Sequence, residues 1–87
     1  MAAPLHIAAI DAGSNAIRLV IARASSASRI EILKTERYPL RLGRSVFVKH
    51  RFEPKTIQRG VDAFRHFRRL LDRYGVTRYR AVATSAT

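Results

Sequence analysis

One helix-period segment, Pro54 to Gly75, constrains this chain most strongly. Pro54 suits a first helical turn, where its missing N–H leaves no bond unmade. Glu53 precedes it and complements the positive end of the helix dipole. Apolar residues recur at Ile57, Val61, Phe64, Phe67, Leu71 and Tyr74, a three-to-four spacing kept over about five turns. Gly75 supplies the residue that closes the last turn. The opposite face carries Arg59, Asp62, Arg65, His66, Arg69 and Arg73.

The segments around this helix read as strands. Leu5 to Ile10 is a short apolar run that ends in the turn formers Asp11, Gly13, Ser14 and Asn15. Ala16 to Ala22 is a second run rich in β-branched residues, with Arg18 among apolar neighbours. Arg23 to Ser28 is a small polar turn. Arg29 to Tyr38 alternates in part, with Ile30, Ile32 and Leu33 apolar and Glu31, Lys34 and Glu36 polar. These three strands form an antiparallel meander. Pro39 to Phe52 has no clear period and reads as a loop. Val76 to Ala83 is a fourth strand with Tyr79, Ala81 and Ala83 on one side of the pleat. The order is β-β-β-α-β, and the helix lets the last strand lie parallel to an earlier one. The chain stops just after a strand, so the expected architecture is a truncated α/β domain: a mixed sheet with the helix on one face.

Composition excludes several classes. The 87 residues permit one small domain, not two. There is no cysteine, hence no disulfide framework, zinc-thiolate site or thiol nucleophile. The N-terminus lacks a basic region and Asp11 interrupts its apolar run, which argues against a signal peptide. No stretch approaches the roughly 18 apolar residues of a membrane span, and a cytoplasmic protein is expected. Net charge is +11, with 17 Lys+Arg against 6 Asp+Glu. That balance points to a polyanionic partner: nucleic acid, an acidic membrane or a phosphate-rich substrate. A hydrophobic content of 47% argues against disorder.

Four segments could carry chemistry. Asp11-Ala12-Gly13-Ser14-Asn15 joins two apolar strands. Such a turn gathers backbone N–H groups that suit phosphate oxygens, and a carboxylate there can hold a divalent metal or orient a water. On spacing alone an ordinary hairpin turn is the commoner reading. Arg41-Leu42-Gly43-Arg44 could clamp a polyanion through its guanidiniums, or be a solvated loop. Arg65, Arg69 and Arg73 could lie along a phosphate backbone. A solvated outer face is favoured, because no aromatic residues interleave with these arginines on one exposed face. Thr84-Ser85 could approach phosphate or form a plain turn. His6, His50 and His66 match no metal-ligand spacing and read as structural or surface residues. Phe47, Phe52, Phe64 and Phe67 read as core.

Taken together, IAAIDAGSNAIRLVIA, LRLGRSV, RRLLDRYGV and YRAVATSAT resemble, in order and spacing, the exopolyphosphatase/guanosine pentaphosphate phosphatase (Ppx/GppA) family. The similarity runs from about His6 to Thr87. The resemblance implies a ribonuclease H-like half-domain of the actin, Hsp70 and sugar-kinase superfamily, with residues 1–87 as the N-terminal part of the first lobe. It implies Mg²⁺-assisted attack of water on a terminal phosphate of inorganic polyphosphate or guanosine pentaphosphate. By position, Asp11 matches the acidic residue that helps hold the metal or the attacking water. Gly13, Ser14 and Asn15 match the phosphate-receiving turn. Arg18, Arg41, Gly43, Thr84 and Ser85 match positions expected near substrate. The family's glutamate base matches no residue here, since Glu31, Glu36 and Glu53 lie in the wrong context. The fragment alone is therefore expected to be inactive. Self-association through an exposed sheet edge, or a homodimer of the parent, is expected. The competing readings are a basic nucleic-acid-binding module and a non-hydrolytic binder of polyphosphate or nucleotide.

Overall fold

The computed structural model describes residues 3–13, 15–39 and 54–83. Three strands, β1 (Leu5–Ala12), β2 (Ala16–Ser26) and β3 (Arg29–Pro39), precede the helix α1 (Pro54–Arg73), and β4 (Arg78–Ala83) follows it. The sheet order is β3-β2-β1-β4. β1 and β3 are antiparallel to β2, and β4 is parallel to β1. The β-β-β-α-β order and the mixed sheet read from the sequence are those observed. Two strands run further than expected. Asp11 and Ala12 stay in β1 because they pair with Arg18 and Ile17, and β2 continues through Arg23 and Ala24 because they pair on both sides.

Alternation along the strands divides the sheet into two faces. Ala8, Ile10 and Ala12 of β1 stand opposite Ile21, Leu19 and Ile17 of β2, on the face that α1 covers. Ala9 and Asp11 stand opposite Val20 and Arg18 on the other, open face. β3 contains an irregularity: Ile21 pairs with Lys34, but Ala22 pairs with Ile32, so Leu33 is an extra residue. Leu33 turns toward the core. Ile30 and Ile32, read from the sequence as the apolar side of β3, lie on the open face and are 57% and 58% exposed. The bulge shifts the phase of the strand, which a simple alternation could not reveal.

The core is built from Ile10, Ile17, Leu19 and Ile21 of the sheet and Ala63, Phe67, Leu70 and Leu71 of α1. Phe67 is 1% exposed and meets Phe64 edge-on at 6.5 Å. Burying a side chain of this size contributes about 1.5–3 kcal/mol. The helix seam is narrower and rotated relative to the expected stripe. Ile57, Val61 and Phe64, expected in the core, are exposed, Phe64 by 43%. Ala63 and Leu70 take their place. Phe67 does lie in the core; Phe47, Phe52 and the other residues of 40–53, read from the sequence as a loop, are outside the described residues.

The end of α1 is closed by a Schellman motif. The Val76 N–H donates to the Leu71 carbonyl (2.9 Å) and the Gly75 N–H to the Asp72 carbonyl (3.2 Å). Gly75 has φ 63°, as that closure requires. The chain is then tied to β1 twice. His6 Nδ1 donates to the Tyr74 carbonyl at 2.6 Å, and the Thr77 N–H donates to the His6 carbonyl at 3.0 Å. Since a carbonyl only accepts, His6 carries its proton on Nδ1. His6 is thus structural, as its scattered position suggested. A Cβ at Gly75 would meet nothing closer than 3.9 Å. Gly75→Ala therefore introduces backbone strain without a clash and is expected to destabilise by about 1 kcal/mol. In a thermal melt this lowers Tm by about 4–8 °C; an unchanged Tm would show that the left-handed residue is dispensable.

Candidate functional site

The site forms where β1 and β4 end side by side. Ala12 pairs with Ala83, so the two parallel strands finish in register. In open α/β sheets ligands collect outside such carboxyl ends. The turn after β1 is closed by the Gly13 N–H, which donates to the Ala16 carbonyl at 2.9 Å. Gly13 therefore shapes the turn, and its amide is engaged within it. Asn15 is exposed at the tip.

Just before this turn, Asp11 points away from the helix, on the open face. Its direct cross-strand neighbour is Arg18. Side chains so placed have Cβ atoms about 4.5–5.5 Å apart, close enough for mutual attraction of opposite charges. Both are exposed, and neither side chain makes a hydrogen bond or ion pair among the described residues. The structure thus brings Asp11, Gly13, Asn15 and Arg18 to one end of one sheet. Ser14, Arg41, Gly43, Thr84 and Ser85 lie outside the described residues.

The row continues beyond Arg18. Arg37 of β3 is directly opposite Arg18 across the next strand pair. Arg18, Val20, Thr35 and Arg37 line a shallow open groove on this face. The sequence did not single out Arg37, which sits between Glu36 and Tyr38 in a charged stretch. Only its pairing partner shows what it faces.

The other acidic side chains of the sheet point elsewhere. Glu31 forms a 2.6 Å ion pair with Arg23, and Glu36 lies 3.5 Å from Lys34 and 3.6 Å from His66 on α1. Both stand on the helix-facing side, opposite Arg23 and Leu19 of β2. Among the described residues no three His, Asp or Glu side chains group as a metal site. The arginines of the outer helix face, Arg65, Arg69 and Arg73, are exposed and lie across the sheet from Asp11. Among the described residues no helix is long and apolar enough to cross a membrane.

Comparison with known proteins gives a consistent result. Residues 20–87 match the model of the Ppx/GppA phosphatase family. The chain is 37% identical over 84 residues to exopolyphosphatase 2 of Mycobacterium tuberculosis, covering 93% of this chain and 26% of that protein. It thus spans about a quarter of the length of the curated relatives it matches. A crystal structure of the Aquifex aeolicus Ppx/GppA family member superposes with a TM-score of 0.88 at 28% identity, over 97% of this chain and 27% of that one. An exopolyphosphatase from Cytophaga hutchinsonii superposes with a TM-score of 0.82 at 30% identity, over 93% and 26%. The fold is that of the matching part of these proteins, an actin-like half-domain with one helix on a mixed sheet. On the family match over most of its length, and on this shared fold, the chain belongs to the Ppx/GppA phosphatase family.

Proposed function

We propose that this chain is the N-terminal part of the first lobe of a cytoplasmic phosphoanhydride hydrolase that releases terminal phosphate from inorganic polyphosphate or guanosine pentaphosphate. The observation that carries this reading is the unpaired Asp11–Arg18 couple on the open face, beside the Gly13–Asn15 turn and the joined ends of β1 and β4. A carboxylate next to a guanidinium offers two complementary groups at one place. The guanidinium binds phosphoryl oxygens, and the carboxylate orients water or a cation. Asn15 at the turn tip adds a polar contact. Ser14, Arg41, Gly43, Thr84 and Ser85 are proposed to complete the phosphate contacts.

Mg²⁺ is the proposed cofactor, and Asp11 fits it. Mg²⁺ takes hard oxygen ligands, commonly one or two carboxylates together with substrate phosphates and water. A single exposed carboxylate beside a phosphate-binding turn meets that need. When bound, the ion would neutralise charge developing on the phosphoryl oxygens. The chain's own part is to place Asp11 rigidly on a paired strand and to set Arg18 against the anion.

Three outcomes test this. In the full-length hydrolase, Asp11→Asn should lower kcat by about 10²–10³-fold while Tm stays unchanged, because the side chain is exposed and supports no contact. Wild-type turnover in phosphate-release assays would remove Asp11 from the mechanism. The 87-residue chain alone should release no phosphate from polyphosphate, since no second carboxylate among the described residues reaches the face of Asp11. Turnover near that of a full-length relative would refute this. Finally, Leu5, Ile30, Ile32 and Val82 are exposed on the sheet and Ile57, Val61 and Phe64 on the helix. Such surface favours self-association. Sedimentation should show concentration-dependent oligomers; a monomer at all concentrations would contradict it.

A further inference from the structure

We infer that Arg37 is a second phosphate-contacting residue of this site, acting with Arg18 as a pair that grips the anionic chain next to Asp11. The inference rests on the phosphoanhydride reading above and extends it to a residue that the sequence motifs do not mark.

The register carries the argument. Asp11, Arg18 and Arg37 occupy one row across β1, β2 and β3, each directly opposite the next. Strands are about 4.7–4.9 Å apart, so the row spans roughly 10 Å. Phase along β3 places Arg37 on the open face: Glu36, its neighbour, approaches His66 of α1 on the other side. Arg37 and Arg18 line the same shallow groove with Val20 and Thr35. Glu36 borders that groove, but its carboxylate is already engaged with Lys34 and His66.

Two like charges set directly opposite on a sheet repel. Elsewhere this chain avoids that arrangement: the cross-strand partner of Arg23 is Glu31, and the two form a 2.6 Å ion pair. Arg18 has Asp11 on its other side, but Arg37 has no carboxylate opposite it, and neither guanidinium makes a side-chain hydrogen bond or ion pair among the described residues. The group that removes the repulsion is an anion shared between the two guanidiniums. It needs several oxygens, since each guanidinium presents a planar fork of donors. Linked phosphoryl groups have that form. With Asp11 at one end of the row, its carboxylate repels an unscreened phosphate, and the anion is drawn toward the arginine end. Arg37 thereby fixes which direction the phosphate chain runs from Asp11: across β2 toward β3.

Binding of inorganic tripolyphosphate to the 87-residue chain, measured by calorimetry, tests this. Circular dichroism serves as the check on folding. Arg18→Ala and Arg37→Ala are each expected to weaken binding about tenfold, the scale of one charge-assisted contact. Arg37→Lys should recover only part of the loss, because an ammonium cannot bind as a fork. Arg69→Ala removes the same charge from the outer helix face and should change affinity less than twofold. Loss with Arg18→Ala but not with Arg37→Ala overturns the inference and leaves the phosphatase reading standing. Equal loss with Arg37→Ala and Arg69→Ala also overturns it, since net charge would then explain the effect. If neither Arg18→Ala nor Arg37→Ala weakens binding, the inference falls together with the reading it rests on.

Discussion

The junction between the end of α1 and the start of β1 holds the rest in place. After twenty helical residues the chain must reverse and lie parallel to β1. The Schellman closure at Gly75 fixes the exit direction. His6 then grips the helix end through the Tyr74 carbonyl, and its own carbonyl receives the Thr77 N–H. These bonds set the register of β4 before its first ladder pair, Ile7 with Arg78. That register in turn brings Ala83 level with Ala12. The place where the two strands end is therefore decided at their opposite end, through a histidine bound to the helix terminus.

The same division of labour runs through the sheet. One face meets the helix with Ile10, Ile17, Leu19 and Ile21, and provides the stability. The other face carries Asp11, Arg18 and Arg37, and provides the surface proposed to meet phosphate. Because alternation along a strand has period two, the residues beside each of these three turn toward the helix-covered face. Arg18 stands between Ile17 and Leu19, which are 1% and 0% exposed. Its backbone is therefore as rigid as the core. Rigid placement of this kind is what a phosphate site needs, since loosely held groups lose much of their effect on charge.

Much of this was legible in the sequence. The helix, the four strands and the parallel return follow from periodicity, turn formers and Gly75. The turn after β1 and the placement of Arg18 on the second strand follow from two apolar runs joined by a short connection. Three things were not legible. Ile57, Val61 and Phe64 have the spacing of a core stripe, but periodicity states only that a face is apolar, not what covers it. Sequence pattern ends β1 and β2 early, because Asp11 and Arg23 are polar and only pairing keeps them extended. Arg37 carries no motif signal because its meaning lies in its partner, which is nineteen residues and a bulge away.

That bulge reaches further than the local kink it produces. Ile30 and Ile32 are even-numbered and Arg37 is odd, yet all three share the open face. In an unbroken strand they would fall on opposite sides. The extra residue at Leu33 thus lets one strand contribute grease at one end and charge at the other of a single surface. Loss of Leu33 itself would remove the bulge and leave Arg37 opposite Arg18. Loss of a residue between Leu33 and Arg37, with the bulge kept, would turn the guanidinium of Arg37 toward the helix. For this strand, the position of the bulge decides which side chains share a surface.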